Sequence, residues 1–232
     1  MVDKNKNVCY NKYTDSSIFE RSVFMPKQKL VEYNRNSILD ASRKLFLKYG
    51  VEKTSMDDIA FNAECSKATV YVYFKNKEDI YYHITSEYMT SLRDSVRECF
   101  ANSTDYERAY FTMCNMLVRF EHDYPMYFDC ILGKIDVSAE KMEELPILKK
   151  IFDIGEEINS IVCDFLERAK ADGFAKGDVD PIQATFVMWS SICGLISLCS
   201  AKKEYLEDSL GFARGSFLRN GFSMILDIVR AR

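Results

Sequence analysis

The stretch Thr54-Ser55-Met56-Asp57-Asp58-Ile59-Ala60, followed by Ala63-Glu64-Cys65-Ser66-Lys67-Ala68-Thr69-Val70-Tyr71-Val72-Tyr73-Phe74 and Lys75-Asn76-Lys77-Glu78-Asp79-Ile80, decides the fold of this chain. Ser55 and Ser66 each stand just before a short run of helix-forming residues. A serine hydroxyl there accepts from the N–H groups that a first helical turn leaves without partners, so both read as N-caps. Asp58 follows Ser55 by three, a capping-box spacing with Asp in place of Glu. Ile59 and Ala60 face inward from the first helix, and Val70 and Phe74, four apart, point into a small core from the second. Two short helices joined by a tight turn can push one helix end into a major groove.

Upstream, residues 27 to 49 read as one helix, with Ile38, Ala41, Ser42, Leu45 and Tyr49 on a stripe widened by Phe46, and Gly50 as its stop. Downstream, Asn76 and Asp79 open a long helix whose apolar positions are Ile80, Ile84, Tyr88, Leu92, Val96 and Phe100. A spacing of four overshoots each turn by about 40°, so the stripe winds around the helix. Such a helix is a candidate mechanical link between two bodies. Further helices are expected at about residues 105–123, ended by Pro125, then 146–171, 180–200 and 207–230, with a loop at 172–178. With only four prolines and nine glycines, the fold class is all-α. The expected division is a poorly ordered arm over residues 1–26, a three-helix DNA-binding domain over 27–80, and a larger helical domain over 81–232.

Charge is divided along the same line. Residues 1–80 hold 14 Lys and Arg against 11 Asp and Glu, a net of +3, and the remainder holds 17 against 24, a net of −7. A mildly basic end on an acidic body suits a protein that offers one end to phosphates. The eight cysteines, Cys9, Cys65, Cys99, Cys114, Cys130, Cys163, Cys193 and Cys199, show no zinc-knuckle spacing, and His83 and His122 are the only histidines. The cysteines therefore read as small buried hydrophobes in a reducing compartment. No metal, no cofactor and no catalytic constellation is expected. No apolar run reaches the ~20 residues of a membrane span, and a cytoplasmic protein is expected.

The elements Ile38-Leu39-Asp40-Ala41 with Leu45-Phe46 and Gly50, then Thr54-Ser55-Met56 with Ile59-Ala60, then Ser66, Thr69-Val70-Tyr71 and Tyr73-Phe74, then Lys77-Glu78, occur in order over about fifty residues. In this the chain resembles the DNA-binding domain of the TetR family of transcriptional regulators. Two departures stand out: Glu64 and Ala68 occupy positions where the family favours glycine. A non-glycine at a left-handed turn costs on the order of 1 kcal/mol. The resemblance implies phosphate contacts by Ser55, Tyr71 and Lys77, and a groove-facing set of Lys67, Thr69 and Tyr73; Thr54, Ser66 and Ala68 complete the expected DNA-binding residues. Hydroxyls and lysines at helix N-termini suit phosphate oxygens, and lysine and threonine can reach base edges. Cys65 precedes the N-cap of the groove helix. It is expected to pack under the turn, with a thiol of lowered pKa as the alternative.

The body resembles the family in layout only. Tyr110, Met113, Phe120, Tyr127, Phe128, Phe152, Phe165 and Trp189, with Met116 and Met188 beside them, would suit a large apolar ligand pocket between helices. Glu121, Glu157 and Asp164 are the carboxylates available to a cationic ligand, though exposed acids are the simpler reading. Ser190, Gly194 and Ser197 form a small-residue strip on a helix apolar nearly all round, and Gly211 and Gly215 are spaced four apart on the last helix. Those residues are the expected dimer interface. The whole then reads as a homodimeric regulator, most simply a repressor, of a double-stranded DNA operator, responsive to an unidentified small molecule. The alternative is a helical small-molecule carrier or enzyme with a vestigial DNA domain.

Overall fold

Each short helix of the opening motif begins where its serine predicts. The computed structural model describes residues 27–101, 103–131 and 135–231. The expected N-terminal arm, with Cys9, lies outside the described residues. The chain divides between Lys77 and Glu78 into two compact units.

The first unit is built on α1 (Lys27–Tyr49), α2 (Met56–Asn62) and α3 (Lys67–Tyr73). Helix α1 packs on α2, and α2 on α3. Its buried face carries Ile38, Leu39, Ala41, Ser42, Leu45 and Phe46. The Ser42 hydroxyl donates back to the Ile38 carbonyl at 2.7 Å, which lets a polar side chain sit in the core. Tyr49 departs from the expected stripe: it is exposed, with the Lys48 ammonium 4.8 Å above its ring. At the helix end only one flank is covered, so the last turn does not follow the core. Gly50, at φ +82°, supplies the stop. Ile59, Ala60, Val70 and Phe74 are buried as their spacing requires.

Helix α4 (Lys77–Phe100) begins at the boundary, and in it Ile80, Ile84, Leu92, Val96 and Phe100 are buried while Tyr88 is half-buried. The second unit continues with α5 (Tyr106–Asp123), α6 (Pro125–Ile131), α7 (Ala139–Glu144), α8 (Pro146–Ala171), α9 (Pro181–Ala201) and α10 (Arg214–Val229). Pro125 does end α5, and it also opens a helix, because a proline at the first helical position gives up no hydrogen bond. Asp105 caps α5, its carboxylate accepting from the Arg108 N–H at 3.0 Å. Helix α9 lies at the centre, packed on α5, α8 and α10. Its buried face of Ala184, Met188, Ile192, Cys193, Ile196 and Cys199 belongs to one core that also takes in Tyr110, Leu117, Ile158, Phe165 and Phe222.

One expectation is qualified in this unit and one fails. Helix α9 is long and apolar enough to cross a membrane by length and composition. The serines and threonine that interrupt it hide this in a residue-by-residue reading, and its buried face is that of a core helix. The final helix starts at Arg214 rather than near residue 207. Residues Tyr205–Ser209 form a π turn instead, and Gly211, at φ +69°, turns the chain before α10 begins. The end of α10 is stitched down: the Lys176 N–H donates to the Val229 carbonyl at 2.8 Å and its ammonium to the Ile228 carbonyl at 2.8 Å. Those are carbonyls that a helix C-terminus leaves without partners.

Candidate functional site

The α2–α3 junction is held by two caps and a left-handed residue. Ser55 is a complete capping box: its hydroxyl accepts from the Asp58 N–H at 3.1 Å, and its own N–H donates to the Asp58 carboxylate at 3.0 Å. The Ser55 hydroxyl also donates to that carboxylate at 2.6 Å, and this bond, with the Ser55 N–H bond beside it, holds the Asp58 carboxyl below its ordinary pKa. At the other end of α2 the Cys65 N–H donates to the Ala60 carbonyl at 3.0 Å and the Glu64 N–H to the Phe61 carbonyl at 3.2 Å. That is a Schellman ending, which requires a left-handed residue, and Glu64 supplies it at φ +54°. Ser66 then caps α3, accepting from the Thr69 N–H at 3.0 Å.

Lys67, Ala68, Tyr71 and Val72 are exposed on α3, Tyr71 by 51% and Val72 by 78%. Thr69 is half-buried, its hydroxyl 2.8 Å from that of Ser66. The Lys67 ammonium does not project freely; it lies 2.7 Å from the Asp57 carboxylate on α2, which raises its pKa. Tyr73 is half-buried and its hydroxyl accepts from the Asn34 side-chain amide at 3.4 Å. Lys77 donates to the Glu52 carbonyl at 2.9 Å. Thr54 does not belong to the exposed set. It is 4% exposed, and its hydroxyl donates to the Gly50 carbonyl at 2.8 Å, so it closes the turn after α1. Cys65 is half-buried, and burial pushes its thiol pKa up. Two exposed apolar residues escaped the sequence reading, Val72 on α3 and Phe61, 82% exposed, on α2. Val72 lies opposite Val70 and Phe74 on a helical wheel, a signal present in the sequence.

In the second unit Tyr110, Met113, Phe120, Tyr127, Phe128 and Phe165 are buried and Trp189 half-buried. They fill space against one another. Phe165 stacks on Phe100 with centroids 3.9 Å apart, and the Tyr110 hydroxyl donates to the Phe222 carbonyl at 2.9 Å. Tyr127 packs against Tyr88 and Tyr81 at 4.5 and 5.6 Å, so Tyr81, Tyr88 and Tyr124 join an aromatic cluster the sequence reading missed. The Tyr81 hydroxyl reaches the Met126 carbonyl at 3.3 Å. Phe152 is exposed on α8, outside the buried set. Glu121 and Glu157 already have cations, Arg214 at 3.2 Å and Arg93 at 3.1 Å.

Helix α9 leaves one apolar face uncovered: Ile182, Phe186, Val187 and Leu198 are exposed, with Ser190 and Gly194 between them and Ser197 half-buried. A Cβ added at Gly194 or Gly215 would meet nothing within 4 Å. Gly211 is no part of a helical strip, because it lies in the turn before α10. Gly221, by contrast, is needed within the chain, where a Cβ would run into the Leu195 side chain.

Residues 38–84 match the family model described as bacterial regulatory proteins, tetR family. The chain is 21% identical over 162 residues to the uncharacterised HTH-type transcriptional regulator YhgD of Bacillus subtilis (strain 168), covering 68% of this chain and 80% of that protein. Its fold is that of the fatty acid degradation regulator FadR from Bacillus halodurans, at TM-score 0.60 and 17% identity over 83% of this chain and 94% of that one. It is likewise that of SmeT of Stenotrophomonas maltophilia in complex with triclosan, at TM-score 0.63 and 19% identity over 85% and 92%. These relatives are regulators and not enzymes. The capped helix–turn–helix, matched in sequence over residues 38–84, is a tetR-family DNA-binding domain at the head of an all-helical chain that shares its fold with these regulators.

Proposed function

We propose that the protein is a repressor that holds a pseudo-palindromic operator as a homodimer and leaves it when a small, largely apolar molecule binds the body. Residues 27–80 act as the DNA-binding domain and 81–232 as the ligand-binding and dimerisation domain. The observation that carries the reading is the exposed side of α3, presented next to the Ser55 and Ser66 caps. Ser55, Ser66, Tyr71 and Lys77 take phosphate, while Lys67, Ala68, Thr69 and Tyr73 lie toward the groove. Lys77 and Tyr73 exchange their present partners for DNA.

Two copies joined through the uncovered α9 face, with Ser190, Gly194, Ser197 and Gly215 at the close approach, set two groove helices about 34 Å apart or a multiple of it. The likeness to SmeT with triclosan supports an apolar effector, which would have to part the packed set of Tyr110, Met113, Phe120, Tyr127, Phe128, Phe165 and Trp189. An effector releases DNA only by binding the spread dimer more tightly, so operator and effector must oppose each other reciprocally. The test is a gel shift on the protein's own upstream DNA at stated salt. Tyr71→Phe, which deletes a hydroxyl aimed at a charged oxygen, weakens binding by about tenfold or more. Equal binding by the variant overturns the phosphate role, and no sequence-selective binding by the native chain overturns the reading.

A further inference from the structure

Base recognition by α3 depends on which side chains stand furthest from its core contacts. At 3.6 residues per turn, Val70 and Phe74 point the same way, and the opposite side falls on Val72, flanked by Ala68 and Thr69. Val72 is 78% exposed and Ala68 is exposed. The Thr69 hydroxyl is paired with that of Ser66 at 2.8 Å, and its methyl group is the apolar part of the side chain. The outward stripe is therefore made of methyl groups. Of the residues that grip guanine or adenine edges with paired hydrogen bonds, helix α3 holds no Arg, Asn or Gln and a single Lys. Its one cation, Lys67, leans onto Asp57. Among base edges in the major groove, only thymine offers an apolar group, its 5-methyl.

We infer that Ala68, Thr69 and Val72 read the operator half-site through thymine methyl groups, so that this regulator prefers thymines where α3 enters the groove. The inference rests on the DNA-binding reading above and names what that site recognises. Phosphate contacts supply affinity without sequence information, so discrimination falls to the stripe.

The full-length protein is used to enrich binders from a random duplex library. The enriched site is then remade with deoxyuridine replacing thymidine one position at a time, which removes the 5-methyl and leaves pairing and phosphates unchanged. Each contacted thymine loses about fourfold in affinity, the worth of roughly one buried methyl group. Replacing guanine by 7-deazaguanine in the half-site changes affinity by less than about twofold, since Lys67, the one α3 side chain able to grip guanine, is held by Asp57. Val72→Ala, at a position too exposed to disturb folding, narrows the thymine-to-uracil ratio. Uracil DNA bound as tightly as thymine DNA, or a large loss with 7-deazaguanine, overturns the inference while leaving DNA binding intact. Failure to enrich any sequence overturns the underlying reading as well.

Discussion

Glu64 shows how one residue sets the geometry of a turn at a cost. Its φ of +54° places a side chain where a Cβ crowds the following carbonyl. The chain accepts the strain because the Schellman ending of α2 needs that conformation, and both its hydrogen bonds are made. Glu64→Gly relieves the crowding and raises the stability of the first unit by up to about 1 kcal/mol; Glu64→Val, whose branched side chain is worse there, lowers it by about 1–2 kcal/mol. Hydrogen-exchange protection of the α2 amides reads both. The strain at Glu64 was legible only through the resemblance, because Glu64 stands where the TetR family favours glycine. The exclusion of Thr54 was not, since nothing local says that its hydroxyl closes onto Gly50 beneath the core. Val72 is placed outward by the helical wheel alone, opposite Val70 and Phe74, and it is exposed in the fold.

At the scale of elements, the caps carry α2 and α3, which at seven residues each are too short to persist on propensity alone. Ser55→Ala removes the acceptor for the Asp58 N–H and costs about 1 kcal/mol of the first unit's stability, measured by the same exchange protection. Asp58 adds a pH dependence. Its folded pKa lies below the unfolded value of about 3.9, so its contribution is present above that value and fades as pH falls through the folded one. Asp58→Asn loses that part of the acid sensitivity, seen as a smaller drop in urea midpoint between pH 7 and pH 3. Helices with strong periodicity and a cap or proline at their head, such as α5 and α8, were legible almost to the residue. The start of α10 was not. A π turn leaves no periodic signature, and Gly211 and Gly215 look alike in a sequence although one turns the chain and the other opens a helix.

At the scale of the molecule, the uncovered face of α9 gives the dimer its clearest test. Phe186 is exposed in the single chain, so Phe186→Glu leaves the fold intact and places a charge where a partner would exclude water. The variant runs as a monomer in light scattering and loses most of its affinity for a two-half-site operator; a dimer of unchanged mass puts the interface elsewhere. The body's aromatic core was legible as a composition, but which rings touch required the packing of α4, α5 and α6. The ion pair between Lys67 and Asp57 acts on the whole assembly in another way. Asp57 already neutralises Lys67, so that lysine brings no net charge to the duplex and frees no small cation from its atmosphere. Association should accordingly respond to ionic strength less steeply than its basic groups suggest, and Asp57→Asn should tighten binding and steepen the log–log salt slope by about one for each subunit.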